Sequence, residues 1–124
     1  MIVDSSVILS IYFKETHAEW AAEQLNLFNN NLKMSTVNLT EVLIQLEDRQ
    51  PENFPTLAAQ LLNSSIKFIA PDVQQSQLAA STRLRFPINL GDCFVYALAK
   101  VNQDKILTLD NDFKKTDAEL ILPF

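Results

Sequence analysis

Four separate stretches of the chain set an acid in an apolar frame. Asp4 follows Ile2-Val3, Glu41 lies in Leu39-Thr40-Glu41-Val42-Leu43, Asp92 in Leu90-Gly91-Asp92-Cys93-Phe94, and Asp110 with Asp112 in Leu107-Thr108-Leu109-Asp110-Asn111-Asp112-Phe113. Hard divalent cations such as Mg2+ and Mn2+ take oxygen ligands and keep part of their water shell, so carboxylates converging from several segments point to one metal centre. Such a centre makes water a usable nucleophile at neutral pH and, with two ions about 4 Å apart, stabilises the leaving oxygen of a phosphodiester. The chemistry expected is hydrolysis of nucleic acid.

Each acid alone has an ordinary use. Asp4 can cap a helix that starts near Ser6, and Asp92 can answer the dipole of the helix it begins. Glu41 can be a solvated helix acid, and Asp110 and Asp112 can be Asx-turn residues. Only joint placement by the fold turns them into a site.

The elements that must do the placing alternate. Ile2-Val3 reads as a short strand, followed by a helix over Ser6 to Phe13 and a second over Ala18 to Phe28 with Trp20, Ala21, Leu25 and Phe28 inward. The run Asn29-Asn30-Asn31 suits a turn. Leu32 to Thr36 is a strand, after which Asn38 or Thr40 can cap a helix that turns Val42, Leu43 and Leu46 inward and fades near Asp48 to Pro51. Pro55 to Leu62 gives a short helix and Ile66 to Ala70 a third strand. Pro71-Asp72 opens a helix to about Arg83, and Phe86-Pro87 breaks the pattern. Leu90 to Lys100 is apolar on nearly every face and is expected to be a buried helix. Lys105 to Leu109 is a fourth strand and Leu120 to Leu122 a fifth at the edge. This alternation predicts right-handed crossovers and a three-layer α/β/α domain spanning residues 1–124, with a mostly parallel central sheet of four to five strands.

In such sheets ligands collect beyond the carboxyl ends of the strands. Asp4 and Asp110 are expected at those ends, and Glu41 and Asp92 in the first turns of the helices that come next. The one glycine, Gly91, sits beside Asp92, where a small residue allows close approach.

Composition sets outer limits. With 124 residues, 48% of them hydrophobic, the chain can bury a core without disulfides, and its single cysteine, Cys93, has no partner for one. No basic n-region precedes an apolar core at the N-terminus and no apolar run reaches about 18 residues, so neither a signal peptide nor a membrane span is expected and the reading is cytoplasmic. A net charge of −5 argues against a broad basic surface that holds nucleic acid through many phosphate contacts, although Lys14, Lys33, Arg83, Arg85, Lys114 and Lys115 can attract phosphate at the rim of an acidic site.

Other chemistries fit less well. His17 is the only histidine and lacks a partner at metal-ligand spacing, which argues against zinc. Ser5 and Ser6 lack a GxSxG setting and a histidine base, so they are expected to hold water or cap the helix. Trp20 and the eight phenylalanines read as core, because no aromatic cluster interleaves with basic residues. A haloacid-dehalogenase-like phosphatase needs a second Asp where Ser6 stands. A receiver domain needs its acceptor Asp after the third strand and a late strand-end Lys, where this chain has Pro71-Asp72 and Asp110.

Taken in order, Val3-Asp4-Ser5-Ser6, Leu39 to Leu43, Leu90-Gly91-Asp92 and Leu107 to Phe113 resemble the PIN domain family, and among its members the small VapC-like toxins of bacterial toxin–antitoxin pairs, which are Mg2+-dependent ribonucleases. The resemblance implies that Asp4, Glu41 and Asp92 match the family's first three acids, with Asp110 as the fourth and Asp112 as a competing fourth or a fifth ligand. It implies that Asp4 and Asp92 contact Mg2+ or Mn2+ most directly, that Glu41 positions water, that Asp110 or Asp112 completes the shell, and that Thr108 supports the end of the fourth strand. It further implies an RNA substrate, a homodimer and an antitoxin whose C-terminal peptide covers the site. A catalytically silent PIN-like module that binds RNA or protein is the competing expectation, and the presence of all the acids argues against it.

Overall fold

The computed structural model describes residues 1–124. Ile2–Val3 forms β1, Ser5–Tyr12 α1, Ala18–Leu27 α2, Lys33–Ser35 β2, Thr36–Arg49 α3 and Phe54–Leu62 α4. Lys67–Ile69 comes next as β3, Val73–Arg85 as α5, Leu90–Asn102 as α6, Ile106–Leu107 as β4, Asn111–Lys115 as a 3-10 helix and Leu120–Ile121 as β5. All five strands are parallel, in the order β3-β2-β1-β4-β5.

That order contains a switch. The chain steps outward from β1 to β2 to β3, then returns across the sheet to β4 on the other side of β1. Because such crossovers keep one hand, the two directions of travel place their helices on opposite faces. Strand side chains alternate, and β1 divides its two residues between the layers. Val3 packs with Val7, Ile8, Met34, Val42, Leu46 and Leu107. Ile2 packs with Val95, Leu98, Ala99, Ile106 and Phe113. A third cluster, Ala79, Ile88, Cys93 and Ala97, ties α5 to α6. The expected α/β/α architecture is therefore present, and its sheet is wholly rather than mostly parallel.

Several boundaries differ from the sequence reading, each for a local reason. Helix α3 begins directly at the end of β2, because the Ser35 side chain accepts a hydrogen bond from Val37 N (3.3 Å) and caps it. Asn38 and Thr40, the expected caps, lie inside the helix; Thr40 Oγ1 bonds back to Thr36 O at 2.8 Å and Asn38 is buried. Glu41 consequently sits in the second turn of α3 rather than the first. The fourth strand is only Ile106–Leu107, since Thr108 and Leu109 turn toward Asp4 and Ser6 at the carboxyl edge. Helix α6 is buried at Cys93 and from Val95 to Ala99, but Leu90 is 61% exposed, so burial on all faces starts a turn later than expected. In α2 only Ala21 is fully buried; Trp20, Leu25 and Phe28 are half-buried against the larger core cluster. Cys93 is buried and free.

Candidate metal centre

β1 and β4 are neighbours at the switch, so the segments leaving their carboxyl ends meet at one edge of the sheet. Asp4 leaves β1 with an extended backbone and does not cap α1 with its side chain. Its Oδ2 instead accepts two hydroxyl protons, from Ser6 Oγ (2.6 Å) and from Thr108 Oγ1 (2.8 Å). The same two hydroxyl oxygens accept from the main chain after β4: Leu109 N donates to Ser6 Oγ at 3.0 Å and Asp110 N to Thr108 Oγ1 at 2.9 Å. Two side chains thus staple the segment bearing Asp110 to the carboxylate of Asp4. Asp4 is buried, and that burial pushes its pKa up; the Ser6 and Thr108 donors pull it down, and the charges of Asp110 and Glu41 push it up again.

Asp92 is the third residue of α6, where the cap Asn89 accepts from Asp92 N at 2.8 Å. The Asn-x-x-Asp spacing is a helix-start pattern that sequence reasoning missed at this point. Asp92 is only 6% exposed, and its Oδ2 has no hydrogen-bond partner. Its pKa is raised from 3.8 to about 8, first by burial and then by repulsion from Asp4, Asp110, Glu41 and Asp112. A helix N-terminus favours the charged form, so burial and crowding outweigh the dipole here.

Asp110 and Asp112 belong to the 3-10 helix, the first as its cap and the second inside it. Asp110 Oδ1 accepts from Asp112 N (2.8 Å), so the Asx-type turn anticipated for these residues is real and also aims them. Oxygens of Asp92, Asp110 and Asp112 lie within 4.8 Å of one another, so the competing fourth and fifth acids are both at hand. Asp4 and Glu41 are near enough to repel Asp92 but stand outside that tight triad. Glu41 reaches the cluster from α3, with its Oε1 held by Asn38 Nδ2 at 2.8 Å. Gly91 makes room for it, since a Cβ there would lie 2.9 Å from Glu41 Cδ.

The donor set suits a hard divalent cation. All candidates are carboxylates, one buried oxygen lacks any partner, and neighbouring carboxylate charges help raise the pKa of Asp4 and Asp92, a repulsion that a cation would relieve.

Of the basic residues expected at the rim, Lys115 touches the cluster, 3.0 Å from Asp112 Oδ1. Lys33 bonds Asn102 at 3.1 Å, at the amino-terminal side of β2, because the parallel register starts that strand at the far edge. Arg85 faces Asp117 at 3.9 Å. A cavity of about 640 Å3 between Met1, Tyr96, Asp104 and Glu119 also opens away from the acids, at the edge where the strands begin. His17 lies against Phe124, with ring centroids 5.5 Å apart, and takes no part in the cluster.

Comparison with known proteins places the chain. It is 32% identical over 126 residues to ribonuclease VapC42 of Mycobacterium tuberculosis, covering 94% of this chain and 95% of that protein. It is 31% identical over 129 residues to a ribonuclease VapC of Mycolicibacterium smegmatis, covering 98% and 99%. Its fold is that of a chain in VapBC2 from Rickettsia felis, solved bound to a promoter DNA fragment, with a TM-score of 0.81 at 15% identity over 98% and 96% of the two chains. Residues 1–119 match the description of the PIN domain, and with that span of sequence and this architecture the chain belongs to the PIN domain family.

Proposed function

We propose that this chain is a divalent-metal-dependent endoribonuclease that hydrolyses RNA phosphodiester bonds and acts as the toxin of a toxin–antitoxin pair. The observation that carries the reading is the acid cluster at the β1–β4 switch, where Asp4 and Asp92 are buried and Asp92 keeps an unpartnered oxygen and a pKa of about 8. A structural role leaves that repulsion unrelieved, whereas Mg2+ or Mn2+ turns it into binding energy. The names of the relatives, ribonucleases of similar length and over 30% identical, support the substrate class.

The chain's own groups divide the work. Asp92 and Asp4 would hold the cation most directly; Ser6 and Thr108 both donate to Asp4 Oδ2, which leaves Oδ1 for the ion. Asp110 and Asp112 would complete the shell, Asp110 through the oxygen not used on Asp112 N. Glu41, held by Asn38, would orient water and accept its proton. When bound, the cation supplies a water of lowered pKa and neutralises charge building on the scissile phosphate. Lys115 would offset repulsion between the phosphate and Asp112.

Pairing of two copies and neutralisation by an antitoxin belong to the same reading. Val73, Leu84 and Leu90, at 75%, 91% and 61% exposed, offer apolar surface on α5 and at the start of α6 for a second copy. No helix is long and apolar enough to cross a membrane, and an RNA substrate with a free buried cysteine suits the cytoplasm.

The test is incubation of purified protein, freed of co-purifying inhibitor, with total RNA and Mg2+ or Mn2+, beside EDTA and Asp4→Asn controls. Discrete fragments lost in both controls are the expected result. RNA bound but uncut in either metal points instead to a silent binding module, and cleavage that persists in EDTA overturns the metal role.

A further inference from the structure

We propose that Asn38 is a positioning residue for this site: its side-chain amide holds the Glu41 carboxylate of α3 against the first turn of α6, so that Glu41 and Asp92 face one cation. The inference rests on the proposed metal-dependent function and names what organises it.

Asn38 is fully buried in the first turn of α3, where its side chain has no capping role because Ser35 caps the helix. Asparagine is a poor helix-interior residue, since its side chain competes for backbone hydrogen bonds. Here both amide protons have partners on different helices. Nδ2 donates to Glu41 Oε1 at 2.8 Å, within α3, and to Gly91 O at 3.0 Å, in α6. Both partners are acceptors, so the orientation of the amide is forced; turned over, its oxygen would face two oxygens.

The bond across the helices lands on the residue before Asp92. It therefore joins the acid of one helix to the backbone that carries the acid of the other. Gly91 completes the clamp from its side, because a Cβ there would press on the Glu41 carboxyl group, 2.9 Å from its carbon. Packing alone does not account for the choice. Asn38 Oδ1 is buried without a partner, a cost that an apolar residue of similar size would avoid. What an apolar residue cannot do is pin a carboxylate that its neighbours repel: Glu41 contributes to the raised pKa of both Asp4 and Asp92.

The experiment is a double-mutant cycle between Asn38→Ala and Glu41→Ala, read by Mn2+ binding in electron paramagnetic resonance and by kcat and KM on a cleaved RNA, with thermal melts to confirm folding. Loss of a group that orients a metal-site carboxylate costs about 10- to 100-fold in metal affinity or rate. Asn38→Ala should lose that much in Mn2+ affinity and kcat with KM for RNA unchanged, and the double variant should be no worse than Glu41→Ala. Asn38→Leu keeps about the same volume, removes both donors and leaves no unpartnered oxygen, so it should fold and lose as much as Asn38→Ala. Additive losses in the cycle, or an Asn38→Leu protein that binds Mn2+ and cleaves like the wild type, overturn the clamp while leaving the nuclease intact. A wild-type chain that neither binds Mn2+ nor cuts RNA is the separate failure of the function on which the clamp rests.

Discussion

Replacing Asp92 by Asn in the metal-free protein should stabilise it, and more at high pH than at low. The folded state raises the Asp92 pKa from 3.8 to about 8. Between those two values the unfolded chain has lost the proton and the folded chain keeps it, so folding stability falls as pH rises and levels off above about 8. At about 1.4 kcal/mol per pH unit the shift sets a ceiling of about 6 kcal/mol. The cluster opens to solvent through half-buried Asp110 and Asp112, and screening there cuts the effect to about 2–3 kcal/mol. Asparagine matches the shape and carries no charge, so the variant should lose the Asp92 part of this pH dependence and keep the part due to Asp4, whose pKa burial also raises. Asp104 and Asp117 have lowered pKa values and contribute stability that disappears only as pH falls below the ordinary carboxylate range, outside the window of interest. Urea unfolding of both proteins in EDTA at pH 5 and pH 8.5 reads the difference. Asp92→Asn should exceed the wild type by about 2–3 kcal/mol at pH 8.5 and by clearly less at pH 5. An equal gap at the two pH values, or a variant less stable than wild type at pH 8.5, would refute the claim that buried charge repulsion dominates Asp92.

The same geometry fixes other outcomes. Mn2+ at about 100 times its Kd should raise wild-type stability by about 2.7 kcal/mol and Asp92→Asn by much less, and calorimetry at pH 7 in two buffers should show proton release on binding to the wild type. Thr108→Val removes a donor to Asp4 and the acceptor for Asp110 N, so chemical denaturation should show a loss of about 1–3 kcal/mol, with Mn2+ affinity also reduced. Gly91→Ala should lower Mn2+ affinity at least about 10-fold while its melting temperature stays near that of the wild type, because alanine gains up to about 1 kcal/mol in a helix and the displaced group is the end of a flexible Glu41. Phe113→Ala, in the fully buried side of the 3-10 helix, should cost about 3–5 kcal/mol and disorder the segment bearing Asp110 and Asp112, seen as lost amide protection there.

Much of this protein is decided by local pattern. Strand and helix runs alternate with enough regularity to require a parallel sheet between helical layers, and carboxyl-edge chemistry follows from that topology before any coordinate is known. The five acids stand out because polar residues inside apolar frames are costly unless used. Gly91 is legible for a related reason, as the one residue without a side chain beside an acid.

What the sequence left open depends on contacts between residues far apart in the chain. Whether Asp4 caps its helix or binds hydroxyls depends on Thr108, 104 positions away, arriving beside it when β4 pairs with β1. Asn38 looks like a helix cap because capping is the commonest local use of asparagine, and only the approach of α6 reveals a buried amide shared between two helices. The choice between Asp110 and Asp112 could not be made from spacing, since one tight turn presents both to Asp92. The charge state of the site is the furthest from sequence of all. Asp92 has an ordinary carboxyl group whose pKa of about 8 is produced by burial and by four neighbours drawn from three other segments, effects that exist only once the chain has folded.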